Sequence, residues 1–248
     1  MAELVLAVRT PSARRQMERL ISESELHHLS TVSMDTAARM VRPYTWLLER
    51  VGDEGIRLTD AGHLRPGEVA VVIEALGLAG STSRREPSVR RENQAPAVVQ
   101  LRESAQATGL VRKQRGRLLL TATGHELRGD PVALWWHLAE RMPLRSAAVS
   151  DVQAGMILLA CVAARFTDTL NVTIARMLSS IGWMNSDGSP LTGAEAAEAT
   201  SGTYAALRRL GVLPADRRPG QVPWPTAEGV AFARAALRTW PGIPPALG

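Results

Sequence analysis

The sequence predicts a mainly α-helical chain with short β-hairpins, arranged as tandem winged-helix-like domains. Three observations carry this prediction. A phrase of threonine, two residues and glycine recurs as Thr59-Asp60-Ala61-Gly62, Thr121-Ala122-Thr123-Gly124 and Thr226-Ala227-Glu228-Gly229. The last two copies share an approach: a helix ends at Gly109-Leu110-Val111 or Gly211-Val212-Leu213, and a basic hairpin follows. Apolar residues recur at helical spacing between these signals. A threonine hydroxyl accepts from the N–H groups of a first helical turn, so each of these two copies starts a helix. Helix, hairpin and helix form the closing half of a winged helix.

The chain has 248 residues, enough for two small domains, and a hydrophobic content of 45% supports buried cores. Apolar runs fall short of the roughly 18 residues that a membrane span requires. Leu4-Val5-Leu6-Ala7-Val8 is too short for a signal peptide and no basic region precedes it. Cys161 is the only cysteine, which excludes an intrachain disulfide and a cysteine-rich zinc site. A cytoplasmic chain without a membrane partner is expected. The oligomeric state is not legible.

Residues 1–30 read as a helical arm. An amphipathic helix over 11–29 carries Met17, Leu20 and Ile21 on one side. The first domain is expected over 31–143. Asp35 caps a helix through Val41, Leu47, Leu48 and Val51, which Pro43 should kink or split. Gly52-Asp53-Glu54-Gly55 is a turn before a short strand, Ile56-Arg57-Leu58. Pro66 opens and Gly77 closes a second helix with the stripe Val69, Val72, Ile73 and Leu76. Gly80 to Asn93 is a polar, basic loop, and Asn93 caps a third helix that buries Val98, Leu101, Ala105 and Thr108. Two strands, Leu110 to Gln114 and Arg117 to Leu120, meet across Arg115-Gly116. Thr121 starts a short helix, and Asp130-Pro131 another that buries Trp135, Leu138 and Met142.

The second domain is expected over 144–240, with a tail at 241–248. Val152 to Phe166 is an apolar helix. Asn171 caps a helix through Ile174, Leu178 and Ile181, and a turn follows at 185–189. A long helix over 194–210 is weakened at Ser201-Gly202. A second hairpin has Arg217-Arg218-Pro219-Gly220 at its tip. Thr226 caps the closing helix, which ends near Trp240.

Charge is the main functional signal. Lys113 is the only lysine among 29 basic residues, so arginine abundance reflects a composition bias and carries little weight. Its distribution says more. Residues 84–128 hold ten Arg and Lys against four Glu, a net +6, and the rest of the chain sums to −1. A local positive field is the form of a nucleic-acid footprint. The candidate contacts to double-stranded DNA are Arg90, Arg91, Gln100, Arg112, Lys113, Arg115 and Arg117. The cations straddle a phosphate backbone and Gln100 reads adenine. Glu103 on the same helix works against this, and the loop before the helix is about a dozen residues longer than the tight turn of a helix-turn-helix. In the second domain Glu195 and Glu198 give the corresponding helix an acidic leading turn. That domain, or Trp136, is the expected contact for another protein. No catalytic residue, metal ligand or cofactor is expected: the sequence has no glycine-rich phosphate loop and no His-Glu-x-x-His or Gly-x-Ser-x-Gly motif.

Four segments carry a resemblance. They are Arg39-Met40-Val41-Arg42-Pro43-Tyr44-Thr45-Trp46-Leu47-Leu48, Arg57-Leu58-Thr59-Asp60-Ala61-Gly62, Leu101-Arg102-Glu103-Ser104-Ala105 and Asp130-Pro131-Val132-Ala133-Leu134-Trp135-Trp136-His137-Leu138. The chain resembles, to about residue 238, the C-terminal region of an actinobacterial family whose N-terminal domain is of the plasmid open-reading-frame-three type. Some members are labelled insertion-sequence passenger proteins. The resemblance covers the C-terminal region of the longer members and does not extend to their N-terminal domain. The resemblance implies no activity and no site residues. The expected function is therefore that of a nucleic-acid-associated winged-helix protein, an accessory or regulator. A protein-interaction module without DNA affinity is the alternative.

Overall fold

The computed structural model describes residues 2–27, 30–78, 91–166, 169–213 and 225–239. In chain order its helices are α1 (Ala2–Ala7), α2 (Pro11–Glu23), α3 (Met34–Val51), α4 (Pro66–Leu76), α5 (Pro96–Ala107), α6 (Ala122–Leu127), α7 (Pro131–Glu140), α8 (Val149–Ala163), α9 (Leu170–Ser180), α10 (Gly193–Arg209) and α11 (Ala227–Thr239). The strands are β1 (Ile56–Arg57), β2 (Val111–Gln114) and β3 (Arg117–Leu120). The chain is mainly helical, with one small antiparallel sheet in the order β1-β3-β2. Its contacts form two compact units, Ala37–Leu134 and Met1–Thr36 with Trp135–Gly248.

In the 37–134 unit, α3 buries Val41, Tyr44, Leu47 and Leu48 on one face. Of the kink or split expected at Pro43, the split does not occur, and α3 runs through it. Proline removes a single N–H donor, and apolar residues buried on both sides of it fasten both halves to one core. Tyr44 donates its hydroxyl to Ser104 Oγ of α5 at 3.0 Å, which satisfies a fully buried polar group. Pro66 and Gly77 bound α4 as expected. Gly77 takes the left-handed φ of 62° that ends a helix. Asn93 does not cap α5. It sits in a 3-10 turn over Glu92–Gln94, and Pro96 opens the helix after Ala95 without a side-chain cap. Proline at that place has no N–H to satisfy. In the sheet, Val111 pairs with Leu120 and Lys113 with Leu118, while Ile56 meets Leu118 from the other edge. Ile56, Val111, Leu118 and Leu120 are buried, so this sheet face is the core face.

In the other unit, every residue of α8 from Ala154 to Ala163 is buried. Packing of α2, α9, α10 and α11 around it explains why its apolar residues show no one-sided stripe. The residues expected as an arm, 1–30, belong to this unit, and so do 135–143. The boundaries therefore fall at 36/37 and 134/135 instead of 30/31 and 143/144. Specific bonds account for this. Ser24 Oγ donates to the carbonyls of Leu20 and Ala160, and Arg234 Nε donates to the Ser24 carbonyl at 2.9 Å. Trp135 is fully buried, with its ring edge-to-face on Phe232 of α11 at 5.2 Å. α1, which the sequence reading did not foresee, precedes an Arg9 N–H that donates to the Ser180 carbonyl. Asn171 does not cap α9 but lies inside it, and Thr169, at φ 51°, precedes the helix. α10 is continuous through Ser201-Gly202, with Thr200 and Thr203 buried. The hairpin and tip expected at 214–224, and the tail, lie outside the described residues.

The two units share one backbone device. After α5, Gly109 and Leu110 donate N–H groups back to Gln106 and Ala105; after α10, Gly211 and Val212 donate to Arg208 and Leu207. The chain returns with Thr121 N–H on the Leu110 carbonyl and Thr226 N–H on the Val212 carbonyl. Thr121 Oγ1 accepts from Gly124 N–H at 3.0 Å, and Thr226 Oγ1 from Gly229 N–H at 2.9 Å. The glycines are required. A Cβ on Gly124 would lie 2.1 Å from the Leu110 carbonyl oxygen, and one on Gly229 2.6 Å from that of Val212. The third copy serves otherwise: Thr59 and His63 close a loop, and no helix starts there.

Candidate nucleic-acid interface

The basic hairpin turns at Arg115 and Gly116, with φ values of 49° and 72°. Two successive positive φ values give the turn whose twist suits a two-residue hairpin. Side chains alternate along a strand, so the register assigns the cations to faces. Lys113 shares the core face with Leu118, at its outer rim, and its stem covers Gly62. Arg112 lies opposite Leu119 on the outer face. Arg57 and Arg117, paired across β1 and β3, lie on that face too.

The predicted cations differ in what they are free to do. The side chains of Arg112, Lys113 and Arg115 are exposed and make no hydrogen bond or ion pair among the described residues. Arg117 is half-buried, and its Nε and Nη2 donate to the Glu54 carbonyl at 3.0 and 2.5 Å. It holds the 52–55 turn against β3, a structural task that its place in a basic run does not reveal. Those bonds also fix it in place opposite Arg57, a like-charge pairing that a sheet disfavours. Arg57 is exposed on the same outer face as Arg112. The alternation of Ile56, Arg57 and Leu58 was the signal that could have found it.

Gln100 is exposed on α5, away from the strands in sequence, and shares that exposed surface with Glu103. Arg91 is exposed at the start of the 3-10 turn, where its N–H donates to Gln94 Oε1. Arg90 lies outside the described residues, as do Arg84 and Arg85. The one cation on α5, Arg102, is 3% exposed and bonded through Nε to Glu92 Oε1 at 2.5 Å. Glu92 is itself buried and also accepts from Leu64 N–H at 2.6 Å. Buried charges persist when paired and fully hydrogen-bonded. One arginine and one glutamate of the +6 segment thus cancel inside the fold. Neither residue type signals this, because the partners stand ten residues apart across a helix start.

In the other unit, the acid that opens α10 is a cap. Thr192 Oγ1 accepts from Glu195 N–H, and Glu195 Oε2 accepts from Thr192 N–H at 2.7 Å. The Thr192 N–H and hydroxyl, then Asn185, hold the Glu195 carboxyl below the usual carboxylate range. Thr192-x-x-Glu195 is a legible capping box, which reading the acid as surface charge passes over. Trp136 is half-buried, with its ring edge-to-face on Trp135 at 4.9 Å. Burial pushes the Cys161 thiol up to about 12. Among the described residues no three His, Cys, Asp or Glu side chains gather as a metal set, and no helix is long and apolar enough to cross a membrane. Comparison of the chain with protein-family models, with curated proteins and with solved structures yields no match.

Proposed function

We propose that this chain is a nucleic-acid-associated protein, an accessory or regulator, that binds double-stranded DNA through the basic hairpin of its 37–134 unit. The observation that carries the reading is the trio Arg112, Lys113 and Arg115, exposed and unbonded among the described residues on a ribbon with a two-residue turn. The order helix, strand, helix, helix, strand, strand, with the sheet arranged β1-β3-β2, supports a winged-helix-like domain whose wing is this hairpin. The shared Gly and Thr-x-x-Gly bonding supports a second such domain in the other half. The family resemblance is consistent with this reading and adds no activity to it. One observation favours protein docking instead: α5 presents Gln100 and Glu103 to solvent and no cation.

A salt titration of binding to random-sequence duplex DNA tests the proposal. If all three cations displace counterions, the slope in log K against log salt is about −2.7, or roughly a 40-fold loss between ~50 and ~200 mM; two that do so give about −1.8. Absence of binding at the lower salt removes the DNA reading and leaves the docking module.

A further inference from the structure

Resting on that reading, we infer that the hairpin tip, not α5, enters the DNA, and that Arg115 goes into the minor groove, with a preference for narrow A·T-rich tracts. The argument begins with what α5 lacks. A helix that reads the major groove needs side chains reaching base edges, above all arginine, lysine, asparagine or glutamine. The only cation of α5, Arg102, is held inside by Glu92 and Gln106, at 2.5 and 2.6 Å. Glu103, with its side chain 60% exposed, would stand among phosphates. Gln100 is then the one polar group on that surface suited to a base.

The hairpin is arranged otherwise. Arg112 and Lys113 are adjacent on β2 and so point to opposite faces of the ribbon. Arg115 occupies the turn between them and β3. The result is one cation on each flank and one at the tip. The minor groove is about 6 Å wide with a phosphate wall on each side. Two flanking cations match the two walls, and a single long guanidinium fits between them. A-tracts narrow this groove and deepen its negative potential, which draws an inserted arginine. The expected binding is therefore sequence-tolerant, graded by groove width.

Fluorescence anisotropy on the full chain tests this with three duplexes: A·T-rich DNA, G·C-rich DNA and an RNA duplex, whose minor groove is wide and shallow. The variants are Arg115→Asn, since asparagine tolerates a positive φ, and Gln100→Ala with Glu103→Gln. Circular dichroism melting checks that each folds. Wild type binds the A·T-rich duplex about fivefold or more tighter than the G·C-rich one, and RNA weakest. Arg115→Asn brings the two DNA affinities together, and the α5 variant keeps their ratio. Equal wild-type affinity for both DNAs, equal affinity for RNA, or a ratio lost in the α5 variant and kept in Arg115→Asn overturns the tip assignment while DNA binding stands. No binding to any duplex overturns the proposed function with it.

Discussion

The 37–134 unit and the unit formed by 1–36 with 135–248 close their helices with the same device and use their polar residues in opposite ways. In both, a glycine ends one helix and a threonine caps the next, three residues before a glycine that lies close against the backbone just beyond the first helix. In the second unit the polar groups near these helices are committed to joining elements. Ser24 and Arg234 fasten the N-terminal segment, and Glu195 caps α10. In the first unit a buried charge pair, Glu92 and Arg102, is tied to the 58–64 loop and α5, while the side chains of the hairpin cations stay unbonded among the described residues. A repeated scaffold thus does not imply a repeated surface. The lesson is to count cations after subtracting those the fold already holds.

The largest effects expected are on the two cores. Trp135→Ala removes a fully buried indole and its contact with Phe232, and costs about 3–5 kcal/mol. Glu92→Ala leaves the buried Arg102 with only Gln106 and the exposed Glu103, toward the lower end of about 3–5 kcal/mol. Urea unfolding measures both. Cys161 assigns each loss to a unit, because at about 12 its pKa leaves almost no reactive thiolate at neutral pH and its side chain is buried. Trp135→Ala is expected to speed thiol labelling at sub-denaturing urea, and Glu92→Ala to leave it near the wild-type rate. Equal acceleration by both would break the comparison, since the two halves would then open together.

A smaller effect sharpens it. The folded pKa of Glu195 is depressed, so its cap contributes fully above the ordinary glutamate pKa and is lost as pH falls through the lowered folded value. Glu195→Gln is expected to remove that part of the acid-side loss of stability in a melting series from pH 7 down to pH 3. Unchanged acid dependence would mean that the carboxylate is not holding α10.

Much of the helical order was legible because its signals are local. Pro66 and Gly77 bound a helix by φ alone, and Arg115-Gly116 is a turn because both positions need positive φ. The Thr121 and Thr226 caps follow from hydroxyl chemistry. What was not legible depends on distant partners. Pro43 does not break α3, because buried residues on both sides outweigh one missing donor. Asn93 and Asn171 look like caps but lie in a 3-10 turn and within α9. The grouping of 1–30 with the C-terminal half rests on bonds spanning more than a hundred residues, such as Ser24 to Ala160. At the candidate site the basic run pointed to the hairpin. It could not separate Arg112, Lys113 and Arg115 from Arg117, which supports a turn, or from Arg102, which is buried in an ion pair.

The most direct test of the central claim, that the unbonded hairpin cations of the first unit bind DNA, is a pair of charge reversals. Arg112→Glu with Lys113→Glu alters exposed side chains that make no hydrogen bond or ion pair among the described residues, so the melting temperature should hold while affinity for duplex DNA is lost. Arg217→Glu with Arg218→Glu, made in the other half of the chain, should leave binding close to wild type. Retention of binding by the first variant and its loss in the second would contradict the account and move the DNA contact to the other half of the chain.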